Sequence, residues 1–136
     1  MRVLNILLVV GAALAAPGVS LAGVYKADGC QVVTPDGWVA SKSRIAAPDK
    51  KLWASLMQAG TAAEAIQVER SLGAIKVSET PGVTLMVSTA SYGGLTNKQY
   101  HAISKTVPSC VADVTAPAGP QEATAKQIAG TVRLAK

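Results

Sequence analysis

The stretch SYGGLTNKQYHAISKTVPSC, residues 91–110, decides how this chain folds. Its first seven residues are small and polar and carry Gly93-Gly94, the composition of a loop. From 98 to 106 the side chains alternate. Tyr100 and Ala102 point one way and His101 and Ile103 the other, which is the period of a strand. Val107-Pro108-Ser109 turns the chain, and 110–114 returns as a second strand. Strands joined this tightly run antiparallel. The same stretch holds the single histidine, two of the three tyrosines and one of the two cysteines. It is therefore also the first place to look for chemistry.

Outward from this hairpin the pattern repeats. Residues 83–90 read as a strand with Val83, Leu85 and Val87 on one face, and 74–79 alternate again. Thr61-Ala62-Ala63-Glu64 is a capping box, in which hydroxyl and carboxylate each satisfy an amide at the helix start. It predicts a helix over 62–72 with Ala65, Val68 and Leu72 along its apolar stripe and Gly73 as its stop. Nearer the start, 30–34 is a short strand and Pro35-Asp36-Gly37 a turn. Residues 38–46 form a second strand, Pro48-Asp49-Lys50 another turn, and 52–58 a third strand. Downstream, 115–120 is a stiff Pro- and Gly-containing linker, and 121–134 closes the chain as a helix with Ala125, Ile128 and Val132 inward. Gly130 weakens that helix but allows close packing. The expected fold is a single α+β domain: an antiparallel sheet of five to seven strands packed with two helices, both on one face or one on each.

Composition sets the compartment. Arg2, an apolar run over 4–16, Pro17-Gly18 and Ser20-Leu21-Ala22, which puts small residues where a signal peptidase requires them, have the three-part pattern of a secretory signal. Cleavage is expected after Ala22, leaving 23–136 as the folded domain. The run falls short of the roughly 20 residues that span a bilayer, so no transmembrane span is expected. In an exported chain two cysteines predict a Cys30–Cys110 disulfide. It would close a loop of about 80 residues and stabilise the fold by about 4–5 kcal/mol in the chain-entropy account. The net charge of +5 comes from dispersed lysines, with no dense run and no aromatic-interleaved basic motif, so no nucleic-acid partner is expected. Phenylalanine is absent and alanine abundant. Trp38 and Trp53 are then either the large members of an alanine-rich core or ligand-stacking residues.

In order of elements the chain is similar to the small α+β fold shared by the photosystem II extrinsic subunit PsbP and the bacterial envelope protein DcrB. Pro35-Asp36-Gly37-Trp38, the turn at 48–51, the capped helix, the hairpin over 98–114 and the terminal helix carry the resemblance. It implies a non-enzymatic binding or accessory role, and it transfers no catalytic residue.

The inventory of side chains excludes several chemistries. A Ser-His-Asp triad would have to use His101 with Asp28, Asp36, Asp49 or Asp113, and no G-x-S-x-G elbow is present. His101 is expected as a half-exposed strand residue beside Ile103. Glu64 is spent on the cap, Glu69 beside Arg70 reads as a solvated charge, and Asp113 as an edge residue. No facing carboxylate pair stands out. Two sulfurs are half a zinc site, and one histidine does not complete it, so no metal or other cofactor is expected. Gly93-Gly94 matches no phosphate-binding loop. What remains is recognition. Tyr92, Gly93, Gly94, Asn97, Lys98, Tyr100 and His101 form the candidate contact surface, because Tyr, Asn and Gly suit adaptable binding loops. The expected function is an exported, periplasmic, non-enzymatic protein, monomeric or a small oligomer, that binds another envelope or effector protein. It would act as an accessory subunit or an immunity-type inhibitor. The alternative is a small periplasmic hydrolase or a carrier of small ligands.

Overall fold

In the computed structural model, residues 19–136 are described. The apolar run of the expected export signal lies outside them. Asp28 and Gly29 both adopt positive φ, so they form the tight turn that joins β1 (Leu21–Ala27) to β2 (Cys30–Pro35). The expected cleavage point falls inside β1. Of the paired positions, only Leu21 opposite Pro35 lies upstream of it.

Residues 38–46 are not one continuous strand. They make two short ones, β3 (Val39–Ala40) and β4 (Ile45–Ala46), because Ser41 donates its amide to the Arg44 carbonyl and reverses the chain. β5 (Trp53–Ala59) follows. Helix α1 (Ala62–Ser71) begins at the capping box as expected, with Thr61 Oγ1 accepting from the Glu64 amide and Glu64 Oε1 accepting from the Thr61 amide. β6 (Ile75–Glu79) and β7 (Val83–Tyr92) lead into β8 (Leu95–Ser104) and β9 (Ser109–Pro117). The expected seven-residue loop at 91–97 is reduced to Gly93-Gly94, both with positive φ, and the strands run up to it on each side. The expected linker at 115–120 is partly strand: Thr115 and Ala116 are buried in β9. The terminal helix is shorter than expected. Helix α2 (Glu122–Ala129) stops at Gly130, and β10 (Arg133–Leu134) completes the chain. Thr131 Oγ1 accepts from the Val33 amide and donates to the Ile128 carbonyl, which pulls the chain off the helix axis and onto β2.

The protein is a single-domain α+β fold. A seven-stranded antiparallel sheet has the order β3-β4-β5-β9-β8-β7-β6, and a second sheet, not anticipated from sequence, has the order β10-β2-β1. The small sheet and α2 cover one face of the large sheet. That layer contains Tyr25, Val32, Tyr100, Ala102, Val114 and Ile128. Helix α1 lies on the other face, over Met86, Ile103 and Val111. Cys30 of the small sheet and Cys110 of the large one are bonded, with Cα atoms 5.7 Å apart and both residues fully buried. Reduction under non-denaturing conditions, or the Cys30→Ser/Cys110→Ser variant, is expected to lower the free energy of unfolding by about 4–5 kcal/mol. Urea denaturation followed by circular dichroism measures this. A loss below about 1 kcal/mol would mean the unfolded chain is held by something else.

Candidate functional site

The rotation of α1 builds the site. Val68 and Leu72, expected inward, are 55% and 73% exposed. The face turned to the sheet carries Ala62, Ala65 and Ile66, which pack against Met86, Ile103 and Val111. One turn further along that face stands Glu69, its side chain only 12% exposed. It is not a solvated charge.

Beneath it, β7, β8 and β9 pair so that Met86, His101 and Asp113 lie side by side across the sheet. Residues directly opposite in an antiparallel pair point to the same face, so His101 and Asp113 both face α1. His101 is 6% exposed, not half exposed, because α1 and the flanking strands enclose it. Its Nδ1 lies 2.7 Å from Asp113 Oδ1 and 3.5 Å from Glu69 Oε1, and its Nε2 lies 2.8 Å from Ser88 Oγ. Asp113 is not at an edge: β9 runs between β5 and β8. Burial by itself pushes the His101 pKa down. The hydrogen bond and charge of Asp113, followed by the charge of Glu69, outweigh it, and the net shift is upward. Glu69 is raised as well, by burial first and by Asp113, with His101 acting against them.

The Ser88–His101–Asp113 chain has the connectivity of a nucleophile, a base and an orienting acid. Ser88, however, sits within a ten-residue strand rather than on a strand-to-helix turn, where freed amides could stabilise an oxyanion. The combination of Glu69, His101 and Asp113 is a different donor set. It places an imidazole nitrogen and two carboxylates within 4.8 Å of one another.

The candidate contact residues divide. Gly93 and Gly94 form the hairpin tip, with Leu95 70% exposed beside them. Of Tyr92 only the backbone is described, in register with Leu95. Asn97 and Lys98 are half-buried, and Lys98 Nζ donates to Thr89 Oγ1. Tyr100 and His101 leave the surface altogether. Tyr100 is buried on the α2 face, where its hydroxyl donates to Glu122 Oε1 and where burial, then Glu122, pushes its pKa up to about 12. One residue along the strand, His101 is buried on the opposite face.

Past the end of α1 the large sheet is uncovered. A groove of about 560 Å³ opens there, lined by Trp53, Thr115, Asn97, Leu95, Lys50 and Lys51 among others. Arg44 stacks its guanidinium 4.7 Å from the Trp53 ring centre. Trp53 is thus half-buried at the groove rather than central to the core. Thr115 is 2% exposed, and its hydroxyl oxygen is, among the described residues, the one buried side-chain polar atom without a hydrogen-bond partner. Nothing in the spacing of residues 69, 101 and 113 announces the buried cluster. The groove was signalled only by its rim, 93–97, and by Trp53 as a stacking residue.

No family model and no curated protein matches the sequence. Among solved structures, a Bacteroides thetaiotaomicron VPI-5482 protein determined at 1.50 Å resolution is similar in fold, with a TM-score of 0.58 and 13% identity. The match covers 83% of this chain and 48% of that one, so this chain spans about half the length of its structural neighbour. The likeness is one of fold alone. Among the described residues no helix is long and apolar enough to cross a membrane.

The raised His101 and Glu69 values give a pH dependence of defined sign. The folded state holds these protons more tightly than the unfolded chain does, so the stabilisation is complete below the ordinary values of 4.5 and 6.5. It is lost as pH rises through the raised folded values. In chelator-containing buffer the urea midpoint is expected to fall from about pH 6 to about pH 9, and more steeply in the wild type than in His101→Gln. Equal slopes would show that His101 titrates as it does in the unfolded chain.

Proposed function

We propose that this is an exported, non-enzymatic binding protein whose groove at the uncovered end of the large sheet grips an extended, acidic segment of another envelope protein. The buried disulfide fits an oxidising compartment, and the N-terminal pattern of charge, apolar run and small residues fits export. The resemblance to the PsbP/DcrB-like fold carries the same implication of an accessory role.

The observation that carries the proposal is the lining of the groove. Trp53 and exposed Leu95 offer apolar area for an anchoring side chain, while Lys50 and Lys51 at the rim complement a carboxylate. The Gly93-Gly94 turn sets Leu95 at the mouth with little bulk around it: a Cβ on either glycine would meet nothing within 4 Å. A hydrolase is less well supported, because the Ser88–His101–Asp113 chain is not part of this groove.

A photoreactive amino acid at Leu95, in the mature protein added to the host's own envelope extract, is expected to crosslink one protein. The same probe at Val24 on β1, 57% exposed, serves as the control. With that partner purified, Lys50→Glu/Lys51→Glu is expected to weaken binding by about tenfold or more, and more strongly at low salt. Both lysines are exposed, so thermal stability should be unchanged. Equal crosslinking from the two positions, or unchanged affinity in the charge-reversed variant, would remove the groove from the function.

A further inference from the structure

Glu69 and Asp113 aim their carboxylates at the same nitrogen of His101. A ring nitrogen carries one proton, so it can donate to one of them at a time. Among the described residues neither carboxylate has a lysine or arginine within 4.0 Å. Glu79, by contrast, is held by both Lys76 and Lys105. Two largely enclosed carboxylates facing one imidazole leave negative charge where burial makes it costly.

We propose that Glu69, His101 and Asp113 bind one divalent ion of zinc's class. Metal–donor bonds of about 2.0–2.2 Å at tetrahedral or octahedral angles set neighbouring donor atoms about 2.8–3.6 Å apart. The separations from Nδ1, 2.7 and 3.5 Å, lie close to the two ends of that range, so small side-chain rotations bring the donors onto an ion. One imidazole with two carboxylates suits Zn²⁺ and, more weakly, Mn²⁺; it contains no soft sulfur donor. Ser88 supplies the outer contact such a site needs. Its Oγ stands 2.8 Å from Nε2, where it can accept the Nε2 proton and leave the Nδ1 lone pair facing the carboxylates. The donors come from α1 and from two neighbouring strands inside the large sheet, rigid elements rather than loops. Asp113, with its side chain 28% exposed, provides the path in.

The inventory makes the test clean. His101 is the chain's only histidine, and among the described residues no cysteine is free. A tight zinc site with a nitrogen donor therefore has to use His101. Metal-stripped, untagged protein is titrated with Zn²⁺ against a chromophoric chelator. One equivalent is expected to bind. Glu69→Gln and Asp113→Asn should each weaken it by about tenfold or more, His101→Gln should abolish it, and Ser88→Ala, with all three donors kept, should weaken it by about 10–100-fold. Circular dichroism checks that each variant is folded. X-ray absorption of the zinc-loaded wild type supplies a readout independent of the variants, and a single imidazole among oxygen donors is expected. Absence of stoichiometric binding, undiminished affinity in folded Asp113→Asn, or an all-oxygen shell would overturn the proposal.

Discussion

The bond between Cys30 and Cys110 joins two sheets that share no backbone ladder. The core they enclose is built from small pieces. Ala54, Ala102, Ala112, Ala116, Ala125 and Ala129 are fully buried, and the chain has no phenylalanine. Apolar stabilisation scales with area removed from water, at about 25 cal/mol per Å², and an alanine removes little. Such a core gains from close approach of backbones, and close approach tolerates little sliding of one layer over the other. A covalent tie across the layers, between positions 80 residues apart, restricts the unfolded chain as well as the folded one.

The two faces of the large sheet obey different rules. Toward the small sheet and α2 the contacts are mostly apolar, with the Tyr100–Glu122 hydrogen bond among them. Toward α1 there is a polar row beneath the helix. Ala62, Ala65 and Ile66 take the inward side, and Val68 and Leu72 are apolar enough to have competed for it. They face water instead, and the side that meets the sheet is the one that brings Glu69 to His101. Burying a carboxylate costs several kcal/mol unless it is paired. Burial raises the Glu69 pKa more than His101 lowers it, so the contact offsets only part of the cost of this rotation.

Much of the framework was legible in the sequence because it depends on local rules. Alternation around Tyr100 and His101 placed those side chains on opposite faces. Thr61 and Glu64 marked the start of α1, and the even cysteine count marked the disulfide. The misses were of two kinds. Some were local signals passed over: Asp28-Gly29 is a hairpin turn, and reading it would have supplied β1 and with it the second sheet. The others were not local. A period of two tells which face a residue takes, not how deeply that face is buried, so His101 passed as half exposed; the Pro and Gly content of 115–120 passed for a linker although its first residues continue β9. Glu69, His101 and Asp113 come together only through strand pairing and helix rotation, and neither is written in their spacing.

Helix length links the two candidate sites. Ten residues of α-helix span about 15 Å, whereas ten-residue strands such as β7 and β8 run about 33 Å. A helix that short cannot roof the sheet. Over one stretch α1 encloses Ile103, Val111 and the cluster around His101; beyond it Trp53 and Thr115 are left as the floor of an open groove. The register makes the boundary explicit. Ser55, Asp113, His101 and Met86 form one row across the sheet, and Trp53, Thr115, Gln99 and Ser88 form the next row on the same face. Those rows are about 7 Å apart, two residues along each strand. Ser88 belongs to the groove's row, yet its hydroxyl touches the imidazole of the row beneath the helix. A group seated on Trp53 and Thr115 therefore lies one row from Asp113, the member of the cluster open to solvent. The same short helix both shields the cluster and leaves the groove uncovered.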